Sequence, residues 1–199
     1  MKPLCLTMLF GLGLAALNAQ PKIPSPEIQI KLAVLAAPED KREGAMVYGY
    51  DGSGKLIVLR KGSNEMVCLG DNPNQKGFSV ACYQKDLEPY MARGRELRAA
   101  GIAEEKATQT RDDEVRSGKL KMNSQPATLY VLSAKDEDCD LVNGTVKNSY
   151  LRYVIYIPFA TAESTGLPLN PGAPGMPFIM FPGTPRAHIM INPPNPAKQ

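Results

Sequence analysis

The 199-residue chain has no tryptophan, one histidine and four cysteines. A lone imidazole, His188, cannot build a His-based zinc centre, which needs three or four convergent ligands. Net charge is scarce as well. The 23 Lys and Arg stand against 20 Asp and Glu, a formal balance of +3. That balance is evenly spread and gives no basic patch for nucleic acid or an anionic membrane surface. After residue 20 no apolar run approaches the roughly 20 residues that span a bilayer.

The one long apolar stretch stands at the start. MKPLCLTMLFGLGLAALNAQ has a positively charged start (Lys2), an apolar run from Leu4 to Leu17 and a small residue at Ala19. This pattern predicts a secretory signal peptide over 1–19, cleaved before Gln20, with no transmembrane segment afterwards. Cys5 is too early to be a lipoprotein cysteine. The expected location is periplasmic or secreted. Residues 20–26, with Pro-x-Pro spacing, predict an extended arm, and 193–199 predict a frayed tail.

Export bears on the other cysteines. Cys68 and Cys82 flank the turn-rich segment GDNPNQKG, so a hairpin would set them opposite each other, and an oxidising compartment favours a disulfide. Two buried reduced thiols are the alternative. Cys139 is left over among Asp136, Asp138 and Asp140, whose charges would raise its pKa.

Between these ends the patterning predicts one α+β domain over 27–192. Ile28, Ile30, Leu32 and Val34 alternate, which reads as a strand over Glu27–Ala36. Ala45–Tyr50 and Lys55–Arg60 form a hairpin through Asp51-Gly52-Ser53-Gly54. Glu65–Leu69 and Phe78–Tyr83 continue it as a meander. Asp86 is placed to cap a helix to about Ala100, with Leu87, Tyr90, Met91, Gly94 and Leu97 on one face. Ile102–Gly118 is helix-compatible but nearly all polar, so a loosely held helix is expected. Ala127–Ser133, Tyr150–Phe159, Met176–Phe181 and Arg186–Ile191 are further strands, and Asn143-Gly144 marks a short hairpin. The sheet is expected to be antiparallel, with scope to curl.

Three constellations touch on chemistry. Gly49–Lys55 fits the opening of a phosphate loop, but Leu56 stands where Ser or Thr should be and a strand follows, so nucleotide binding is rejected. Asp136, Asp138 and Asp140 alternate as in a calcium loop. Leu141 and Lys147 occupy the required Gly and Glu places, leaving only a weak metal alternative. Ala162–Gly166 has the A-x-S-x-G look of a hydrolase nucleophile turn, with His188 downstream as base. No acid lies from Thr165 to Ala187, so catalysis by Ser164 and His188 is a secondary reading. The primary reading is ligand contact by Glu163, Ser164, Thr165, Arg186 and His188, on loops at the end of a rigid sheet.

Five stretches resemble a group of exported bacterial proteins with no assigned activity: LAAPEDKREGA (35–45), GYDGSGKLIVLRKG (49–62), ACYQKDLEPYMARGRELRAAG (81–101), YVIYIPFATAESTG (153–166) and PGTPRAHIM (182–190). The resemblance implies export and a single domain, and nothing about chemistry. The expectation is therefore a non-catalytic binding module without cofactor, meeting a protein or small molecule in the cell envelope. A small hydrolase and a structural envelope protein, with its Pro-rich segments as rigid contacts, are the alternatives.

Overall fold

The structure is a computed structural model that describes residues 23–195. The expected signal peptide, the first part of the arm and the last residues of the tail lie outside the described residues.

The chain enters through a helix, α1 (Pro26–Ala33). Ser25 caps it by accepting from Ile28 N at 3.4 Å, Pro26 sits in its first turn, and Glu27 and Lys31 suit its dipole. The period-two reading of Glu27–Ala36 as a strand is corrected here. Gln29, Leu32, Ala33, Val34 and Ala36 are the residues buried. Within the helix Gln29, Leu32 and Ala33 fall at i, i+3 and i+4, a helical stripe continued by Val34 and Ala36 in a tight turn at Val34–Ala36. Ile28 and Ile30 flank that stripe, half-buried, so alternation and helix coexist.

Ten strands follow among the described residues: β1 (Met46–Tyr50), β2 (Leu56–Arg60), β3 (Met66–Leu69), β4 (Phe78–Gln84), β5 (Ala127–Ala134), β6 (Cys139–Asp140), β7 (Thr145–Val146), β8 (Tyr150–Tyr156), β9 (Phe178–Met180) and β10 (His188–Ile191). Eight form one sheet in the order β2-β1-β3-β4-β5-β8-β10-β9, and β6–β7 is a separate hairpin through Asn143-Gly144. With its helices, the mostly antiparallel sheet makes an α+β fold, as the sequence indicates.

Two connections depart from a meander: β9 lies beyond β10 at one edge, and the link from β2 to β3 crosses β1. β3 lies parallel to β1 on the side away from β2. The chain gets there by folding tightly across the start of β1. Ser63 N and Asn64 N donate to Gly44 O, and Asn64 Nδ2 donates to Lys41 O at 2.7 Å. Gly62 permits this crossing, since a Cβ there would fall 2.7 Å from Met46 N. Both β1 and β3 therefore end at the same edge, where their loops stand side by side.

Two apolar layers use the two faces. On one, α1 packs its stripe on Val47, Cys68, Val80, Cys82 and Leu132. On the other, Val67, Tyr83 and Ala127 meet Leu87 and Met91 of the second helical region. There α2 (Glu88–Ala99) follows a turn at Lys85–Leu87, whose start is capped by Gln84 and not by Asp86. Tyr90, Gly94 and Leu97 are buried along α2, the face its spacing predicts.

The next helix, α3 (Glu104–Arg116), has almost no apolar stripe, and only Ala107 and Arg111 are buried. Polar contacts hold it. Arg93 grips Glu114 with Nε and Nη2, Tyr90 donates to Asp112 at 2.8 Å, and Arg186 pairs with Asp112 at 3.3 Å. Arg95 of α2 is likewise paired, with Glu88, and is only 16% exposed.

Candidate functional site

The residues singled out by sequence converge only in part. β8 and β10 are neighbours, with His188 opposite Tyr156. Loop bonds from Phe159 N to Thr184 O and from Gly183 N to Ala160 O lash the following segments together. His188 is buried against the rings of Tyr156 and Phe181. Its Nδ1 lies 2.8 Å from the carbonyl of Arg186, an acceptor only, so Nδ1 carries the proton. Burial, seconded by the Arg186 charge, lowers the imidazole pKa, and the ring is neutral at pH 7. Arg186 stacks on Phe181 at 3.7 Å and pairs with Asp112.

Ser164 is committed elsewhere. It belongs to a short exposed helix, α4 (Ala162–Thr165), closed by a reciprocal cap with Thr161. Thr161 N donates to Ser164 Oγ at 2.9 Å, and that hydroxyl donates to Thr161 O at 3.1 Å. Thr165 Oγ1 donates to Thr161 O at 2.8 Å, while Glu163 is exposed. No hydrogen bond joins Ser164 to His188 among the described residues. Arg186 and His188 thus pack on the same Phe181 ring, with His188 buried, and Glu163–Thr165 form a separate turn.

The acidic loop is likewise engaged in its own fold. Asp136 accepts from Gly77 N with both oxygens, Asp138 from Asn148 Nδ2, and Asp140 from Val142 N, Asn143 N and Asn143 Nδ2. Among the described residues, no three His, Cys, Asp or Glu side chains are grouped to hold a metal ion.

A hollow with the character of a site lies at the shared edge of β1 and β3, on the α1 side. It has a volume of about 210 Å³ and apolar walls from Ile23, Pro24, Leu32, Pro73 and Leu141. Gln29, Tyr50, Asp71, Gln75 and Asp136 supply its polar groups. Gln29 builds the wall as a strand residue would. Its Oε1 accepts from Tyr50 N at 2.7 Å, and its Nε2 donates to Tyr50 O and Pro24 O, both at 2.9 Å. Gly49 makes room for it, because a Cβ there would fall 2.6 Å from that Oε1.

Asp71 is the group most altered by this setting. Ser79 N donates to its Oδ1 at 2.8 Å. Burial, then the neighbouring charge of Asp136, outweigh that bond and raise its carboxyl to about 6. Cys139 is close by, and burial followed by the charges of Asp71, Asp136 and Asp138 pushes its thiol up to about 11. It stays protonated and is a poor nucleophile.

No family model, curated protein or solved structure matches the chain. The site therefore rests on its own geometry. Sequence reading notices Asp136 for another reason and passes over Gln29, Tyr50 and Asp71. The available signal is Gln29, a polar residue set between Ile28 and Ile30.

Proposed function

We propose that the protein is an exported binding module whose Asp71 cavity holds a compact ligand bearing a protonated amine. The observation that carries this reading is a half-buried carboxylate, with its pKa near 6 and a second carboxylate beside it, facing a hollow with mainly apolar walls. Such a group gains most from a cation brought by a ligand, because the pair would replace water that the cavity has partly removed. The size suits a body somewhat larger than benzene, which fits an apolar cavity of about 150 Å³. The committed hydrogen bonds of Ser164 and of His188 Nδ1 favour binding over acyl transfer. A disulfide between Cys68 and Cys82 accords with an oxidising compartment.

Titration of residues 20–199 with benzylamine, followed by calorimetry and amide NMR, tests the reading. The amine is expected to perturb Asp71, Tyr50 and Gln29, and benzyl alcohol to leave them unmoved. Affinity should rise roughly tenfold from pH 5 to pH 7.5 as Asp71 ionises. An amine that fails to bind, or binds equally at both pH values, removes the proposal.

A further inference from the structure

Across the sheet edge from the Asp71 cavity, and sharing its Tyr50 and Gln75, is an open cleft of about 640 Å³. Lys55, Asn72, Asn74, Arg95 and Arg98 contribute to its walls. The two hollows are opposite in sign. Asp71 and Asp136 face the first, whereas three cations line the second against one carboxylate, Glu104.

The cations differ in availability. Arg95 is held by Glu88 and Tyr83. Arg98 pairs with Glu104 at 3.0 Å, but those side chains are 45% and 63% exposed, and such pairs exchange partners easily. Lys55 has no ion pair within 4.0 Å among the described residues. Asn72, Asn74 and Gln75 bring side-chain amides, each able to donate and accept.

Tyr50 stands at the partition. Burial raises its phenol pKa first and Asp71 adds to that, while Arg98 and Arg95 lower it. One hydroxyl is thus within electrostatic reach of the acid on one side and of the guanidinium groups on the other. That O–H makes no hydrogen bond among the described residues.

We infer that the two hollows are the ends of one site for a zwitterion, a free amino acid or short peptide. Its ammonium sits by Asp71 and its carboxylate by Arg98 and Lys55. The Tyr50 hydroxyl and the amides of Asn72, Asn74 and Gln75 meet the groups between. This rests on the reading of the Asp71 cavity as an amine site and adds the second charge.

Calorimetry at pH 7.5 on residues 20–199 compares benzylamine, 3-phenylpropionate, phenylalanine and phenylalanyl-glycine. At least one zwitterion is expected to bind roughly tenfold or more tightly than benzylamine, the gain of one charge-assisted contact. The double substitution Lys55→Gln with Arg98→Gln should erase that advantage, with benzylamine affinity unchanged. Both side chains lie at the surface, and an unaltered thermal midpoint verifies the fold. Asp71→Asn should weaken every amine. Equal affinities for benzylamine and the zwitterions, or an advantage that survives the double substitution, would overturn the joined site and leave the amine cavity standing. Failure of all amines would overturn both. Binding of 3-phenylpropionate alone, lost with Arg98→Gln, would do so too.

Discussion

Tyr83 donates its phenolic hydrogen to Oε2 of Glu88 at 2.5 Å, linking β4 to the first residue of α2. The other oxygen, Oε1, accepts from Tyr48 at 3.0 Å and from Arg95 at 2.5 Å, and Arg95 donates to Tyr83 Oη at 2.8 Å. One carboxylate thus joins β1, β4 and α2, with Arg95 over the Tyr48 ring at 4.8 Å. The Arg95 and Glu88 side chains are only 16% and 26% exposed. A Glu88→Gln substitution leaves that guanidinium poorly compensated and should cost about 3 kcal/mol in urea unfolding. Replacing the two together, Glu88→Leu with Arg95→Met, removes the uncompensated charge as well. The double variant should be more stable than either single one, and a double variant that is less stable than both would disprove the account.

The Asp71 cavity has a stability signature apart from ligand. The carboxyl has a folded pKa of about 6, above its unfolded value of 3.8. The folded state therefore holds the proton more tightly, and stability falls as pH rises from about 4 through about 6. Asp71→Asn keeps an acceptor for Ser79 N and omits the charge. It should stabilise the protein by about 1 kcal/mol at pH 7.5, after allowance for partial solvent screening. The gain should vanish below about pH 4. Urea midpoints at the two pH values measure it, and a gain independent of pH would assign the effect to something other than ionisation.

How much of this could be read beforehand depends on the range of the forces. The hairpin of β1 and β2, the strands β3 to β5 and the apolar face of α2 are set by nearby residues, and their spacing announces them. The β1–β3 pairing is not local. It depends on Gly62 passing Met46, which no periodicity encodes. Ile28, Ile30, Leu32 and Val34 alternate as a strand would, but Ser25 and Pro26 open a helix, and of the apolar residues within it Leu32 and Ala33 are buried while Ile28 and Ile30 flank them. The contact set Glu163, Ser164, Thr165, Arg186 and His188 was legible as a cluster of notable residue types. Of these, Arg186 and His188 meet on Phe181, with His188 buried, and the Thr161–Ser164 cap turns α4 upon itself. The cavity combines residues from α1, β1, the β3–β4 loop and the turn after β5, so its parts carry no common signal in the sequence.

Cys68 and Cys82 are direct partners across β3 and β4, with Cα atoms 4.0 Å apart. Both are buried beneath α1, where Cys82 Sγ also lies 3.3 Å from Ala33 O. Their sequence separation is 14. Closing a loop of that length is worth about 3 kcal/mol in the chain-entropy treatment. Denatured residues 20–199 should show one reactive thiol, Cys139, rising to three after reduction. Reduction, or Cys68→Ala with Cys82→Ala, should lower the unfolding free energy by about 2–4 kcal/mol. Three reactive thiols before reduction would mean that the pair is not bonded in solution.

Gly94 lies in the middle of α2, where alanine ordinarily gains about 1 kcal/mol over glycine. Here a Cβ would fall 2.6 Å from Nη1 and 2.9 Å from Cζ of Arg111. That guanidinium is buried, stacks on the Tyr90 ring at 4.4 Å and donates weakly to Tyr90 O at 3.4 Å. Its Nε lacks a partner among the described residues, so stacking and packing are what hold it in place. Gly94→Ala must displace Arg111, and the loss of stacking and packing should exceed the helix propensity, for a net cost of about 1–2 kcal/mol. In an Arg111→Ala background the obstacle is gone, and the same Gly94→Ala change should stabilise by about 1 kcal/mol. Unfolding free energies for the four proteins of this cycle give the coupling directly. If Gly94→Ala stabilises both backgrounds alike, the glycine is not there to seat Arg111.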